Sequence, residues 1–350
     1  MNAIKTSVKA TINELSLKMD ALHIGSIAIS EYNKVYLGKY KHDFDFFMSM
    51  YRQLLYKAIK KLNRPVSEST FIDYGGGCGI LSFLAKEIGF KKVIYNDSYA
   101  VSVHDVKEIS KALNIVIDAY VHGDIQELVN YINKENVRVD LICSFDVLEH
   151  IYDLDHWISS LIAIDSNFSL VFMTGANPRN PLIARRLRKL QVKAELYGQK
   201  KERGWKEIDL NTPYINAREE IIRTIFPALA EEELVDLAKR TRGLKKEDII
   251  QEVARYLKHG VMKYAMVHET NTCDPYTGNR VENLIDLEAL KRMIVSKQLK
   301  VDITNTEYGY SKNKLLNMPK FMLNLIIRIS GPHSLFLAPA YTLEIENIPS

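Results

Sequence analysis

Between Phe71 and Gly79 the chain reads Phe-Ile-Asp-Tyr-Gly-Gly-Gly-Cys-Gly, and this run constrains the fold more than any other. The apolar stretch 70–74 has strand character, and apolar residues at helical spacing follow from Ile80 to Ile88. Glycines at 75, 77 and 79 let the backbone turn sharply between the two and let a ligand approach the main chain without meeting a Cβ. The helix that follows starts with free N–H groups. A plain tight turn has the same composition, so the run has to be weighed with its neighbours.

Those neighbours alternate. Strand character returns at 92–96, 115–121, 139–145 and 168–174, with helical spacing between, for example from about Ser102 to Leu113. Strands alternating with helices of this length predict βαβ units, a parallel sheet and a ligand crevice at the strand carboxyl ends. The chain has 350 residues, enough for two domains or for one with a large insertion. Its division is expected at 1–65, a helical N-terminal arm or lid; 66–177, an α/β core; 178–280, a mostly helical insertion; and 281–350, the rest of the core. In the arm, Phe44 to Leu62 has helical spacing and Asn63, Arg64 and Pro65 stop it. Tyr32, Tyr36 and Tyr40 recur every four residues, which reads first as a buried helical face and second as a ligand-stacking stripe. In the insertion, 219–239 and 246–259 are expected as amphipathic helices, the second stopped by Gly260. Strand character returns only near 299–305 and 340–347.

Lys+Arg 47 against Asp+Glu 43 leaves +4, which does not by itself imply nucleic acid. Cys78, Cys143 and Cys273 form no CxxC pair and no zinc spacing, so neither a disulfide framework nor a structural metal is expected. The N-terminus is a polar amphipathic pattern without a signal-peptide core, and no apolar run reaches about 18 residues. The closest, 318–337, is broken by Lys320, Arg328, Gly331 and Pro332. A reduced, cytoplasmic chain without a membrane span is the expectation.

Three further pieces lie at strand ends. Asp97 closes the second strand, where an acid can accept from both hydroxyls of a ribose or cap the next helix. Gly123-Asp124-Ile125 follows the third; it offers a carboxylate for an exocyclic amine and an apolar side chain for a purine face, or is an ordinary turn. Asp140 to His150 is a strand that runs into polar residues. In order, spacing and strand context the four pieces resemble the class I S-adenosylmethionine-dependent methyltransferases. The DVLEHI stretch is similar to the small-molecule branch that includes quinone-biosynthesis methyltransferases. The resemblance is strong over about 66–175 and weak at 283–305 and 340–347.

The resemblance implies a Rossmann-like sheet of seven strands, the last antiparallel, and S-adenosylmethionine as cofactor. It implies that Asp73, Gly75, Gly77 and Gly79 line the methionine and ribose, that Asp97 binds the ribose diol, and that Asp124 and Ile125 hold the adenine. Ser144 and Phe145 are then at the methionine end. A nicotinamide dehydrogenase, the runner-up, carries G-x-G-x-x-G; from Gly77 the third glycine position is Ser82, and from Gly75 it is Ile80.

Methyl transfer to an alcohol or phenol needs alignment and a base. His150, just past the fourth strand, is the first candidate, with structural packing as its other reading; Asp146 is a second base candidate or a ligand of the cofactor's amino group. His268, Asn271 and Asp274 sit in a polar stretch where the insertion returns to the sheet, and read equally as acceptor pocket or surface loop. The basic segment 179–203 reads first as a solvated helix face and second as an anion site, with only Tyr197 and Trp205 for base stacking. The expected reaction is metal-independent O-methylation of a small metabolite or sugar-containing product. An RNA acceptor and a non-catalytic S-adenosylmethionine-binding module stay open, as does the oligomeric state.

Overall fold

The computed structural model describes residues 2–164, 168–198, 206–310 and 314–347. Seven strands form one sheet: β1 (Thr70–Tyr74), β2 (Lys92–Asp97), β3 (Ala119–His122), β4 (Leu141–Phe145), β5 (Ser169–Thr174), β6 (Leu299–Asn305) and β7 (Tyr341–Asn347). Their order is β3-β2-β1-β4-β5-β7-β6. β1 pairs parallel with β2 and β4, and β7 runs antiparallel to both β5 and β6. The chain steps outward from β1 to β3 and then restarts on the other side at β4. The crevice at the carboxyl ends of β1 and β4 is therefore the switch point where ligands bind in such sheets.

Both faces of the sheet are covered, which is why β1 and β5 are buried at every position. The arm supplies α1 (Asn2–Ala21), α2 (Glu31–His42) and α3 (Phe44–Lys60). α1 and α3 share one core with α4 (Ile80–Ile88) and α5 (Ala100–Leu113): Leu15, Leu54, Leu84 and Val106 meet Phe71, Cys143 and Val171 there. Alternate strand residues, Ile72, Ile142 and Phe172, face the other core. That core takes in α6 (Ile125–Lys134), α7 (Leu154–Ile162) and α12 (Leu287–Ser296).

Between β5 and α12 lie α8 (Pro181–Leu196), α9 (Tyr214–Ile225), α10 (Glu231–Arg240) and α11 (Lys246–His259). α9 to α11 bury a small core of their own, with Ile222, Leu237, Ile249 and Val253 at its centre. Beneath it Arg218 is fully buried and donates to Glu195 at 3.0 Å, to Thr272 Oγ1 at 2.8 Å and to the carbonyls of Tyr214, Thr241 and Cys273. One guanidinium thus joins three helices to the segment that returns to the sheet. The last helix, α13 (Lys314–Ile329), lies between β6 and β7 in sequence.

Two expected elements differ. The third strand begins at Ala119 rather than at Ile115. Asn114 closes α5 in the left-handed conformation, and the Asp118 carboxylate accepts the Val93 N–H, so the ladder with β2 starts only after Asp118. Ile115 and Ile117 are buried even so. The single helix expected over 219–239 is two helices, because Pro227 lacks the N–H and cannot continue α9. Gly260 ends α11 as expected, at φ 72°.

Candidate active site

The glycine turn is held from three sides. Gly76 N donates to the Asn96 carbonyl, Gly77 N to Asp97 Oδ2 at 2.9 Å, and the Tyr95 hydroxyl to the Gly77 carbonyl at 2.7 Å. Asp73, at the base, turns inward. Its Oδ2 accepts from both the backbone and the hydroxyl of Ser82 in the first turn of α4. Burial pushes this carboxyl up to about 7 against those two donors. Gly79 has φ +79°, and a Cβ there lies 2.4 Å from Val106 Cγ2. A Cβ on Gly75 (φ +69°) lies 2.5 Å from Val147 Cγ2, whereas one on Gly77 meets nothing within 4 Å. The turn is closed on its flanks and open at Gly77.

Asp97 sits at the end of β2, buried, with Oδ2 on Gly77 N and Oδ1 on Tyr99 N. Burial raises its pKa, opposed by those N–H groups and by Lys206 of the insertion. A carboxylate has about four acceptor positions, so two are left for hydroxyls. Asp124 caps α6 in a reciprocal box with Glu127, and Ile125 lies in the core at 3% exposure.

The tyrosine stripe of α2 is only partly buried. Asn33 anchors the helix by donating to Asp105 of α5, and its side-chain oxygen lies 3.3 Å from Cys78 Sγ in the glycine turn. Tyr32 consequently stands edge-on to Tyr99 at 5.6 Å, beside Asp97. Lys206 places its ammonium 5.1 Å from the centres of both rings. The segment between α8 and α9 thus reaches the Asp97 side of the crevice.

On the β4 side, Phe145 packs on Tyr51 and Ser144 Oγ is buried without a hydrogen-bond partner. Asp146 takes the left-handed conformation (φ 53°) and accepts from Gly175 N at 2.8 Å. Though partly solvent-exposed, its carboxyl is crowded by protein and by Glu149, and is pushed up to about 8. Glu149 is buried beside Asp146; burial pushes it up to about 7, and its Oε2 has no partner. These are two carboxyls that favour holding protons at neutral pH. The sequence offers Glu149 only as the start of a helix; its place beside Asp146 follows from the turn after β4.

His150 is fixed by the returning chain. Its Nδ1 is 2.8 Å from the Arg280 carbonyl, and Arg280 N and Asn283 N donate to the carbonyls of His150 and Glu149. A carbonyl only accepts, so Nδ1 carries the proton and Nε2 of the neutral ring is left as an acceptor. Asp209 and Asp146 are its acidic neighbours. Of the insertion candidates, Asp274 is buried and organises its own turn by accepting from Tyr276 N and Thr277 N. It also accepts from Leu210 N, next to Asp209. His268 accepts from Thr270, and Asn271 Oδ1 is buried without a partner. Lys200, Lys201, Arg203 and Trp205 of the basic segment lie outside the described residues.

Residues 48–200 match the family described as "Methyltransferase domain". That match covers the glycine turn, the end of β2 and the turn after β4, in a sheet whose seventh strand is antiparallel. Residues 48–200 therefore match a methyltransferase domain, set in a Rossmann-like methyltransferase sheet, and its cofactor is S-adenosylmethionine. The nicotinamide reading of the glycine turn is thereby set aside. No curated protein matches the sequence. Among solved structures, the chain is similar to a putative S-adenosylmethionine-dependent methyltransferase from Listeria monocytogenes, at 12% identity and TM-score 0.42, covering 86% of this chain and 99% of that one. It is similar to the plantazolicin methyltransferase BamL, solved with a triazolic desmethylPZN analogue and SAH, at 11% identity and TM-score 0.38, covering 99% of each. It is also similar to a methyltransferase from Mesorhizobium loti, at 11% identity and TM-score 0.37, covering 86% of this chain and 97% of that one.

The crevice fits S-adenosylmethionine. Gly77 leaves the cradle open, Asp97 keeps acceptor capacity for a diol, and Ser144 holds an unmatched buried hydroxyl near the carboxyl end of β4.

The carboxyl pair predicts a pH signature. A pKa raised on folding favours the folded state below the unfolded value, and that advantage is lost as pH rises through the folded value. For Glu149 the window runs from 4.5 to about 7. In Glu149→Gln the term is absent, so melting temperatures of variant and parent should diverge in the variant's favour between pH 5 and pH 8. A pH-independent difference contradicts the assignment.

Proposed function

We propose that the chain transfers the methyl group of S-adenosylmethionine to an oxygen of a small metabolite or sugar-containing product, with His150 as general base. The observation that carries this reading is the Nδ1 contact of His150 with the Arg280 carbonyl, which leaves Nε2 to accept the hydroxyl proton. In this reading the cofactor supplies an electrophilic methyl on a positively charged sulfur. Gly75, Gly77 and Gly79 shape the turn against it, and Asp73 holds that turn from below. Asp97 accepts from the ribose hydroxyls, and Asp124 and Ile125 border the adenine. Ser144 and Phe145 border the methionine end, with Asp146 on its ammonium. The insertion at 178–280 caps the acceptor, and its segment with His268, Asn271 and Asp274 positions the wall above His150. The arm at 1–65 presents the α2 tyrosines to the same edge.

Two experiments test this. Labelled methyl from S-adenosylmethionine should enter the small-molecule or saccharide fraction of a source-cell extract. Label confined to RNA moves the basic segment to the acceptor channel, and no label with intact S-adenosylhomocysteine binding leaves a non-catalytic module. Asp97→Ala should weaken S-adenosylhomocysteine about 30- to 300-fold by calorimetry, since two charge-assisted hydrogen bonds are lost at about 1.5–3 kcal/mol each, partly offset by relaxation. An unchanged affinity removes Asp97 from the site.

A further inference from the structure

Residues 206–210, between α8 and α9, extend from the Asp97 side of the crevice to the His150 side. At one end Lys206 sets its ammonium 5.1 Å from the centres of the Tyr32 and Tyr99 rings, which stand edge-on to each other at 5.6 Å. In the middle the Lys206 carbonyl accepts from Asp209 N at 3.1 Å and closes a turn. At the other end Leu210 N donates to Asp274 Oδ2 at 3.4 Å.

Each ring is fixed independently of the lysine. Tyr99 N donates to Asp97 Oδ1 at 2.8 Å, so its backbone is bound to the carboxylate that ends β2. Tyr32 belongs to α2, which Ser30 N at 3.0 Å and Asn33 Nδ2 at 2.8 Å tie to Asp105 of α5. Lys206 and Tyr32 are both half-buried. A cation is attracted to an aromatic ring, and more strongly where water is partly excluded. One ammonium thus joins three segments that are far apart in the sequence. Its charge also acts on Asp97 and Asp209, and opposes the upward push of burial on both carboxyls.

We propose that Lys206 is a positioning residue that pins 206–210 across the crevice, so that the donor's ribose edge and the wall facing His150 close together. This rests on the reading of Asp97 as the ribose ligand and of His150 as the base. Ribose hydroxyls on Asp97 steady the Tyr99 backbone, Tyr99 and Tyr32 hold the ammonium, and the turn behind it carries the effect to Asp274 beside Asp209. A bound donor therefore orders the acceptor wall, and by linkage a bound acceptor slows the donor's release. The expected order of binding is donor first, acceptor second.

The test is release of S-adenosylhomocysteine from the full chain by stopped-flow, with hydrogen exchange at Leu210 in its presence and absence. Lys206→Met keeps most of the apolar stem and loses the charge, whereas Lys206→Arg keeps a cation that stacks on aromatic rings. Release should be about tenfold faster in Lys206→Met and within about threefold of the parent in Lys206→Arg. Tyr32→Leu should match Lys206→Met, and the double variant should exceed either by less than about threefold, because both remove one contact. Saturation with S-adenosylhomocysteine should slow exchange at Leu210 about tenfold in the parent and less than about twofold in Lys206→Met. Lost packing alone gives no rescue by arginine and adds in the double variant; either result overturns the pin. Release from Lys206→Met within about twofold of the parent also overturns it, and leaves the donor site standing. Exchange at Leu210 that ignores S-adenosylhomocysteine overturns the coupling. A parent that binds no S-adenosylhomocysteine overturns the donor site itself, and the pin with it.

Discussion

His150→Gln should lower kcat about 100- to 10,000-fold while leaving S-adenosylhomocysteine affinity within about twofold. The glutamine amide can still donate to the Arg280 carbonyl and hold the two backbone contacts that join this turn to the returning chain. It cannot take a proton. A structural histidine and a catalytic one therefore separate cleanly: the first predicts near-normal turnover, the second a loss confined to chemistry. Single-turnover rates with labelled donor and an identified acceptor make the measurement. A kcat within threefold of the parent removes His150 as base and leaves Asp146, whose carboxyl is pushed up to about 8, as the next group to replace.

Arg218→Ala should cost about 3–5 kcal/mol of stability, because it leaves Glu195 buried without its cation. The remaining partners of that carboxylate are the Thr272 hydroxyl and, at 3.9 Å, Arg242. Replacing both ends by apolar residues of similar size, Arg218→Met with Glu195→Leu, should recover most of the loss, since a packed apolar pair avoids the desolvation of two ions. Urea midpoints for the three proteins decide this. A single-variant loss below about 1 kcal/mol contradicts it. The consequence reaches the site: Arg218 also holds Thr272 and Cys273, and the next residue, Asp274, accepts from Leu210 N beside Asp209. A loosened insertion should raise KM for the acceptor more than it changes donor affinity.

These expectations rest on different kinds of information. The glycine turn, Asp97 and the strand–helix alternation were legible because each is local. Strand character and helical spacing are set by neighbouring side chains, and a tight turn announces itself by glycine. The same locality explains the errors. The third strand begins late because the Asp118 carboxylate, on the same segment, competes for a ladder donor of β2. The α9–α10 break came from one proline that an amphipathic pattern had concealed.

The sequence by itself determined the strand–helix alternation and the glycine turn, because these follow from the order of apolar segments and the turn chemistry between them; the antiparallel seventh strand was expected only from the resemblance those pieces carry. Only the tertiary structure decided what the site residues touch. Asp73 is spent on α4, Ile125 is in the core, and Glu149 lies beside Asp146. His150 gains its tautomer from Arg280, a residue far along the chain. Lys206 also meets Tyr32 and Tyr99 only when the fold brings α2, the end of β2 and the segment before α9 together. Hydrogen bonds and burial join residues distant in sequence, and no local pattern encodes which partners they find.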